Sequence, residues 1–119
     1  YNAVLMDAYN ANPTSMSLSI QNFGKWHTTG LMILGDMYEL GKASKVEHEA
    51  IVREVISLDM AQNCILIGEH FYDCDFEGLK FKTTKHLIDF WQKKGAPRDA
   101  SILLKGSRGI ALERLLPHL

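Results

Sequence analysis

The chain has 119 residues, a net charge of −1, and is 46% hydrophobic and 23% charged; these are the proportions of one soluble globular domain long enough to bury a real core. The near-zero charge gives no electrostatic reason to expect nucleic acid or an anionic membrane as partner. No apolar run approaches the ~20 residues of a membrane span.

The first apolar stretch, Ala3-Val4-Leu5-Met6, is predicted to be a buried strand that ends in a carboxylate, Asp7. A polar loop, Ala8 to Asn12, leads into a predicted helix over 13–26, with Asn12 as N-cap and Pro13 at the first helical position. A second strand is predicted at Gly30–Leu34, followed by the loop Gly35 to Gly41. The next helix starts at Ser44, where Glu47 three residues on suggests a capping box; Val46, Ile51, Val52, Val55 and Ile56 supply its apolar face. Cys64–Ile67 reads as a third strand closed by Gly68, with a short helical turn at Glu69–Tyr72. A weak fourth strand (Leu79–Lys82) precedes a helix over 84–94 with Leu87, Ile88 and Trp91 on its buried side. The fifth strand, Ser101–Leu104, runs into the loop Lys105-Gly106-Ser107-Arg108-Gly109, and a last helix is expected from Ile110 to Leu116.

Near-continuous apolar strands separated by helices of this length imply a parallel sheet covered on both faces. The predicted fold class is therefore α/β, a three-layer domain with a mostly parallel sheet. Ligands in such folds bind beyond the carboxyl ends of the strands, where three loops stand. In the first, Asp7 is a candidate acceptor for a sugar hydroxyl; Asn12 could be only a helix cap and Asn10 only a turn residue. In the second, five residues separate Gly35 from Gly41 and Lys42-Ala43 follows, so the spacing fails as a phosphate-binding P-loop; Asp36 is expected to orient a neighbouring loop. The third offers two cations, Lys105 and Arg108, the Ser107 hydroxyl and unpaired amides, a candidate site for a carboxylate or phosphate.

Other chemistries lack their residues. The five histidines have no metal-ligand spacing, and His48 is expected to bond back to the preceding loop. There is no nucleophile elbow of the Gly-x-Ser-x-Gly type, and no Gly-x-Gly-x-x-Gly follows the first strand. A receiver-like or stand-alone nucleotide-binding module is the alternative reading. The third strand ends Ile67-Gly68-Glu69 without the aspartate a receiver would phosphorylate, which argues against the receiver. Cys64 and Cys74 are expected to be reduced thiols of a cytoplasmic protein.

Three motifs occur in order: Asp7-Ala8-Tyr9-Asn10-Ala11-Asn12-Pro13 with Ser15-Met16; Leu34-Gly35-Asp36-Met37-Tyr38-Glu39-Leu40-Gly41 with Ser44 and His48; and Lys105-Gly106-Ser107-Arg108. Together they resemble the C-terminal domain of the Mur ligases over essentially the whole chain, and most closely the branch that adds a D-alanyl-D-alanine dipeptide. Folate-adding ligases are similar in fold but lack the Tyr-Asn-Ala-Asn-Pro form of the first loop.

The resemblance implies a Rossmann-like domain cut from a longer, three-domain enzyme, a reading also suggested by a chain that begins at Tyr1 almost inside a strand. The implied partners are a central ATPase domain of the same protein, D-Ala-D-Ala and a UDP-linked tripeptide. ATP and Mg²⁺ are implied too, bound mainly by that central domain, where a peptide carboxylate becomes an acyl phosphate before amine attack. By position, Asp7 would contact the ATP ribose, with Tyr9 and Asn10 on the nucleotide side. Asn12, Ser107 and Arg108 would face the dipeptide, supported by the loops of Asp36 and Lys105. No catalytic residue is expected in this domain alone. Two departures stand out: the family's arginine on a short strand ahead of the Asp7 strand is not in this chain, and Val52 occupies a position where the family often has glycine.

Overall fold

The computed structural model describes every residue of the chain except Tyr9. Five strands, β1 (Ala3–Asp7), β2 (Leu31–Gly35), β3 (Cys64–Ile67), β4 (Leu79–Phe81) and β5 (Ser101–Lys105), form one sheet in the order β1-β5-β2-β3-β4. Every pairing is parallel. Four α-helices connect them: α1 (Pro13–Trp26), α2 (Ser44–Ser57), the single turn α3 (Glu69–Tyr72) and α4 (Thr84–Lys94).

The strand order explains the layers. The chain steps in one direction from β1 to β4 and then returns across the sheet to β5. Right-handed crossovers in opposite directions must lie on opposite faces. Accordingly Met16, Ile20 and Phe23 of α1, Ile51, Val52 and Val55 of α2 and Phe71 of α3 share one core with Met32, Leu34, Leu66 and Leu103. Leu87 and Trp91 of α4 share the other with Ile33, Ile65, Ile67, Ile102, Leu104, Leu112 and Leu115. The alternation of neighbours along β2 and β5 between these two cores is why both strands read as unbroken apolar runs.

Local rules hold at α1. Asn12 is extended (φ −131°, ψ 170°), its side chain accepts the Ser15 N–H at 2.9 Å, and the Ser15 hydroxyl accepts the Asn12 N–H at 3.1 Å. Four expectations are corrected. First, β1 is not buried: it is the sheet edge, and Leu5 and Met6 are about half exposed because β5 is their one strand neighbour. Second, Ser44 is no N-cap. A 3-10 turn, Gly41–Ala43, feeds α2 with Ala43 already helical (φ −80°, ψ −8°), so no extended residue precedes the helix to present a side chain to its amides. Third, Val46 and Ile56 face solvent. Fourth, the C-terminal segment is not an α-helix. Arg108–Ile110 makes a 3-10 turn, Ala111 breaks it in the left-handed region (φ 61°), and Leu112–His118 continues as a 3-10 helix. Pro117 there lacks an N–H and its ring excludes an α-helical carbonyl four residues back.

Both cysteines are unbridged and buried, and burial pushes the Cys64 thiol well above its ordinary range. No helix among the described residues is long and apolar enough to cross a membrane.

Candidate functional site

The parallel sheet brings the ends of β1, β5 and β2 to one edge, and with them the three loops. β5 extends one residue further than the sequence pattern suggests, to Lys105, which therefore belongs to a strand rather than a loop. Lys105 is the register partner of Asp7, so both side chains leave the same face of the sheet. The Lys105 ammonium donates to Asp7 Oδ2 and reaches the Asn10 carbonyl at 3.4 Å. The pair is asymmetric. Lys105 is 2% exposed, whereas the Asp7 side chain is 54% exposed. The buried ammonium thus fixes a carboxylate whose remaining surface is open to a ligand, and holds the chain at Asn10 by its backbone. The Asn10 side chain lies on an exposed residue.

Arg108 stands beside this pair. With Met6, Asp7, Ala8 and Glu113 it lines a cleft of about 310 Å³ between the end of β1 and the C-terminal segment. Glu113 was not foreseen; nothing in the local pattern marks it, and it arrives only because Ala111 turns the chain back. Tyr9, placed on the nucleotide side by resemblance, lies outside the described residues.

The other sequence candidates sit elsewhere. The Asn12 side chain is turned into its own helix cap. The amides of Gly106 and Ser107 are not available to an anion: Gly106 N–H is directed at the Asp7 carbonyl at 3.4 Å, and Ser107 N–H donates to the Asp36 carbonyl at 2.9 Å. Ser107 is buried and its hydroxyl accepts the Tyr38 N–H at 2.8 Å. The second and third loops therefore pack on each other, and they can do so because a Cβ on Gly106 would lie 2.8 Å from the Gly35 Cα.

The Asp36 side chain, expected to orient a neighbouring loop, is directed instead at the start of a helix. It is 1% exposed, and its two carboxylate oxygens accept the His70 and Phe71 N–H groups at 2.9 Å each, anchoring the start of α3. His48 bonds back as expected, through Nε2, which accepts the Met37 N–H at 3.0 Å. Burial lowers its pKa below the ordinary 6.5 and keeps the ring neutral. Tyr38 is shifted the other way, raised by burial and by the nearby charges of Asp36 and Glu69.

Among the described residues no group of three or more His, Cys, Asp or Glu side chains is placed to hold a metal ion. A larger cleft, about 480 Å³, lies at the far edge of the sheet between β4 and α4, lined by Tyr72, Lys80, Phe81, Lys82, His86 and Phe90 among others. Two of its ammonium groups already rest on the Tyr72 ring, at 5.4 and 5.2 Å from its centroid. Asp89, also on its lining, pairs with Lys85 at 3.1 Å, but Lys85 is exposed and Asp89 about half exposed, unlike the buried Lys105 that fixes Asp7.

An all-parallel sheet whose carboxyl edge presents a lysine-fixed carboxylate next to an arginine is a ligand-facing α/β domain of the doubly wound class. The chain belongs to the Mur ligase family: residues 1–108 match its "Mur ligase, glutamate ligase domain". It is 31% identical to the UDP-N-acetylmuramoyl-tripeptide–D-alanyl-D-alanine ligase of Bacillus subtilis (strain 168), aligning over 98% of its own length and 28% of that protein. It is 30% identical to the ligase of the same name from Escherichia coli (strain K12), over 95% of this chain and 26% of the other. Among solved structures, MurF from Acinetobacter baumannii superposes with a TM-score of 0.71 at 31% identity, over 93% of this chain and 26% of that one. MurF ligase from Thermotoga maritima in complex with ADP gives a TM-score of 0.73 at 23% identity, over 98% of this chain and 28% of that chain, a likeness of fold. The chain thus spans little more than a quarter of the length of these relatives.

Proposed function

We propose that this chain acts as the C-terminal domain of the ATP-dependent ligase that joins D-alanyl-D-alanine to UDP-N-acetylmuramoyl-tripeptide in peptidoglycan precursor synthesis, in the cytoplasm. Its part is to help bind ATP and the incoming dipeptide. The observation that carries this reading is the Lys105-fixed Asp7 carboxylate at the sheet edge, sharing a cleft with Arg108, in a chain that aligns over nearly its whole length with little more than a quarter of ligases of that name.

The residues present suit these ligands. Asp7 is held in place by a buried ammonium and can accept from a ribose hydroxyl, with Tyr9 and Asn10 on the nucleotide side. Arg108 offers a planar, permanently charged donor to a carboxylate of the dipeptide or to the acidic face of a neighbouring domain. Asn12 and Ser107 fit a supporting place, since their side chains already bond within the loops. ATP supplies the phosphoryl group that activates the peptide carboxylate, and in this reading Mg²⁺ and most phosphate contacts belong to a central ATPase domain of the same protein. What this domain adds is position: holding an amine against an activated carboxyl group can lower a barrier by roughly 7–11 kcal/mol in ideal cases.

The test is steady-state ligation by the full-length enzyme carrying this domain, with each substrate varied in turn. Asp7→Asn should raise the KM for ATP by about tenfold or more, the loss of one charge-assisted hydrogen bond, and leave the UDP-linked tripeptide nearly unaffected. Arg108→Ala should depress use of D-Ala-D-Ala with the same selectivity. Unchanged ATP dependence in the first variant, or unchanged dipeptide dependence in the second, removes that residue from the site.

A further inference from the structure

Residues 36–38 connect four parts of the molecule that the sequence keeps far apart. From α2, His48 Nε2 accepts the Met37 N–H, while its Nδ1, 2.7 Å from the Ser44 carbonyl, must carry the ring proton because a carbonyl can only accept. From α3, the His70 and Phe71 amides bind the Asp36 carboxylate. From β3, the Ile67 carbonyl accepts the Asp36 N–H at 3.0 Å. Toward the third loop, the Asp36 carbonyl and the Tyr38 N–H clamp Ser107 through its backbone and its hydroxyl. The clamp continues past Ser107: the Tyr38 ring lies so close to Gly109 that a Cβ there would sit 2.6 Å from it. Arg108 lies between these two fixed neighbours.

Asp36, Met37, His48, Ile67, Phe71 and Ser107 in this chain of contacts are buried, and the His48 ring is held in place by an edge contact to Phe71 (4.7 Å between centroids) and a stacked one to His70 (5.0 Å). A buried histidine with no exposed edge and a single permitted tautomer cannot exchange protons with a substrate. It can set the position of a backbone amide, because Met37 N–H would be an orphaned buried donor without it.

We propose that residues 36–38 form a strut that sets where Arg108 stands over the cleft, and that His48 and Asp36 are positioning residues acting on Arg108 through Met37, Tyr38 and Ser107. The consequence for ligation rests on the reading of Arg108 given above; the strut itself does not. Neither histidine nor aspartate touches the cleft, so their effect is on the geometry of the dipeptide side and not on the nucleotide side.

Amide hydrogen exchange on the chain tests the strut, and kinetics of the full-length ligase test its use. His48→Leu keeps the volume and removes the acceptor; His48→Gln can return an oxygen to the Nε2 position. In the Leu variant, exchange at Met37, Tyr38 and Ser107 should accelerate by about fivefold to a hundredfold, the range expected for an unsatisfied buried donor, while Leu66 in the central sheet stays protected. The Gln variant should restore most of the protection. Unchanged exchange at Ser107 in the Leu variant overturns the strut. If Leu66 also loses protection, Ser107→Ala decides, since it removes one hydroxyl and no core packing: Tyr38 must then exchange faster, and an unchanged Tyr38 overturns the proposal. In the ligase, His48→Leu should raise the KM for D-Ala-D-Ala by about tenfold, matching part of the Arg108→Ala effect, with the KM for ATP unmoved and the Gln variant near wild type. A dipeptide KM that responds to Arg108→Ala but not to His48→Leu overturns the positioning role. A dipeptide KM that ignores Arg108→Ala refutes the Arg108 reading instead, and the exchange result alone then decides the strut.

Discussion

Removing either member of the Asp7–Lys105 pair should have unequal consequences for stability. Lys105 is 2% exposed and Asp7 54% exposed, so the cost of desolvation falls almost wholly on the ammonium. Breaking a fully buried pair by removing one partner costs about 3–5 kcal/mol, and an exposed pair is worth about 0–1. Asp7→Asn leaves the buried ammonium with a neutral amide oxygen and the Asn10 carbonyl at 3.4 Å. That half-compensated state should cost about 2 kcal/mol, between the two limits and within the range for a hydrogen bond to a charged group. Lys105→Met removes the group that resists burial and fills the same space, and the abandoned carboxylate is already half in water. Its cost should be about 1 kcal/mol or less, and the double variant should be no less stable than Asp7→Asn. Urea unfolding of the chain, followed by far-UV circular dichroism and fitted as two-state, measures all three. A Lys105→Met cost larger than that of Asp7→Asn would refute the argument, because it would mean that the ammonium contributes more than its burial costs.

Gly68 has φ +124°, and a Cβ there would meet the Asp36 carboxylate at 2.2 Å. Gly68→Ala should therefore destabilise the chain by about 3 kcal/mol or more, read as a fall in urea midpoint; a small effect would show that the α3 anchor is not tight. His48, neutral when folded because burial lowers its pKa, takes up a proton more readily once unfolded. Its contribution to stability is complete above 6.5 and is lost as the pH falls through that value toward the lower folded one. Asp36 and Glu47 oppose this shift and His70 adds to it. Wild type should thus lose more stability than His48→Gln between about pH 7.5 and about pH 5.5, and parallel curves would contradict the assignment. The chain on its own should release no phosphate from ATP and form no amide bond, since phosphoryl transfer needs a phosphate-cradling P-loop, whose spacing this sequence fails, and a metal site, of which the described residues hold no cluster; measurable turnover would overturn the proposed division of labour between domains.

The amino-acid sequence by itself determines the parts of this protein governed by short-range rules. Met32–Leu34, Cys64–Ile67 and Ile102–Leu104 are strands covered on both sides, and they read so because each residue in them is apolar. Asn12-Pro13 starts α1 because both residues act within one helical turn. Parallel strands then require the three polar loops to share an edge, so the edge that carries the candidate site is legible without knowledge of any contact. Tertiary structure decides what those loops are free to do. The Asp7–Lys105 pair joins residues 98 apart, and the Tyr38–Ser107 bond joins residues 69 apart. No local pattern can report such pairings, because they follow from which strands lie side by side. For the same reason β1, as apolar as its neighbours, becomes an exposed edge strand, and Ser107, a hydroxyl that seemed open to a ligand, is consumed by the loop beside it. Local preference places groups at the sheet edge; the packing of one loop on another decides which of them still face outward.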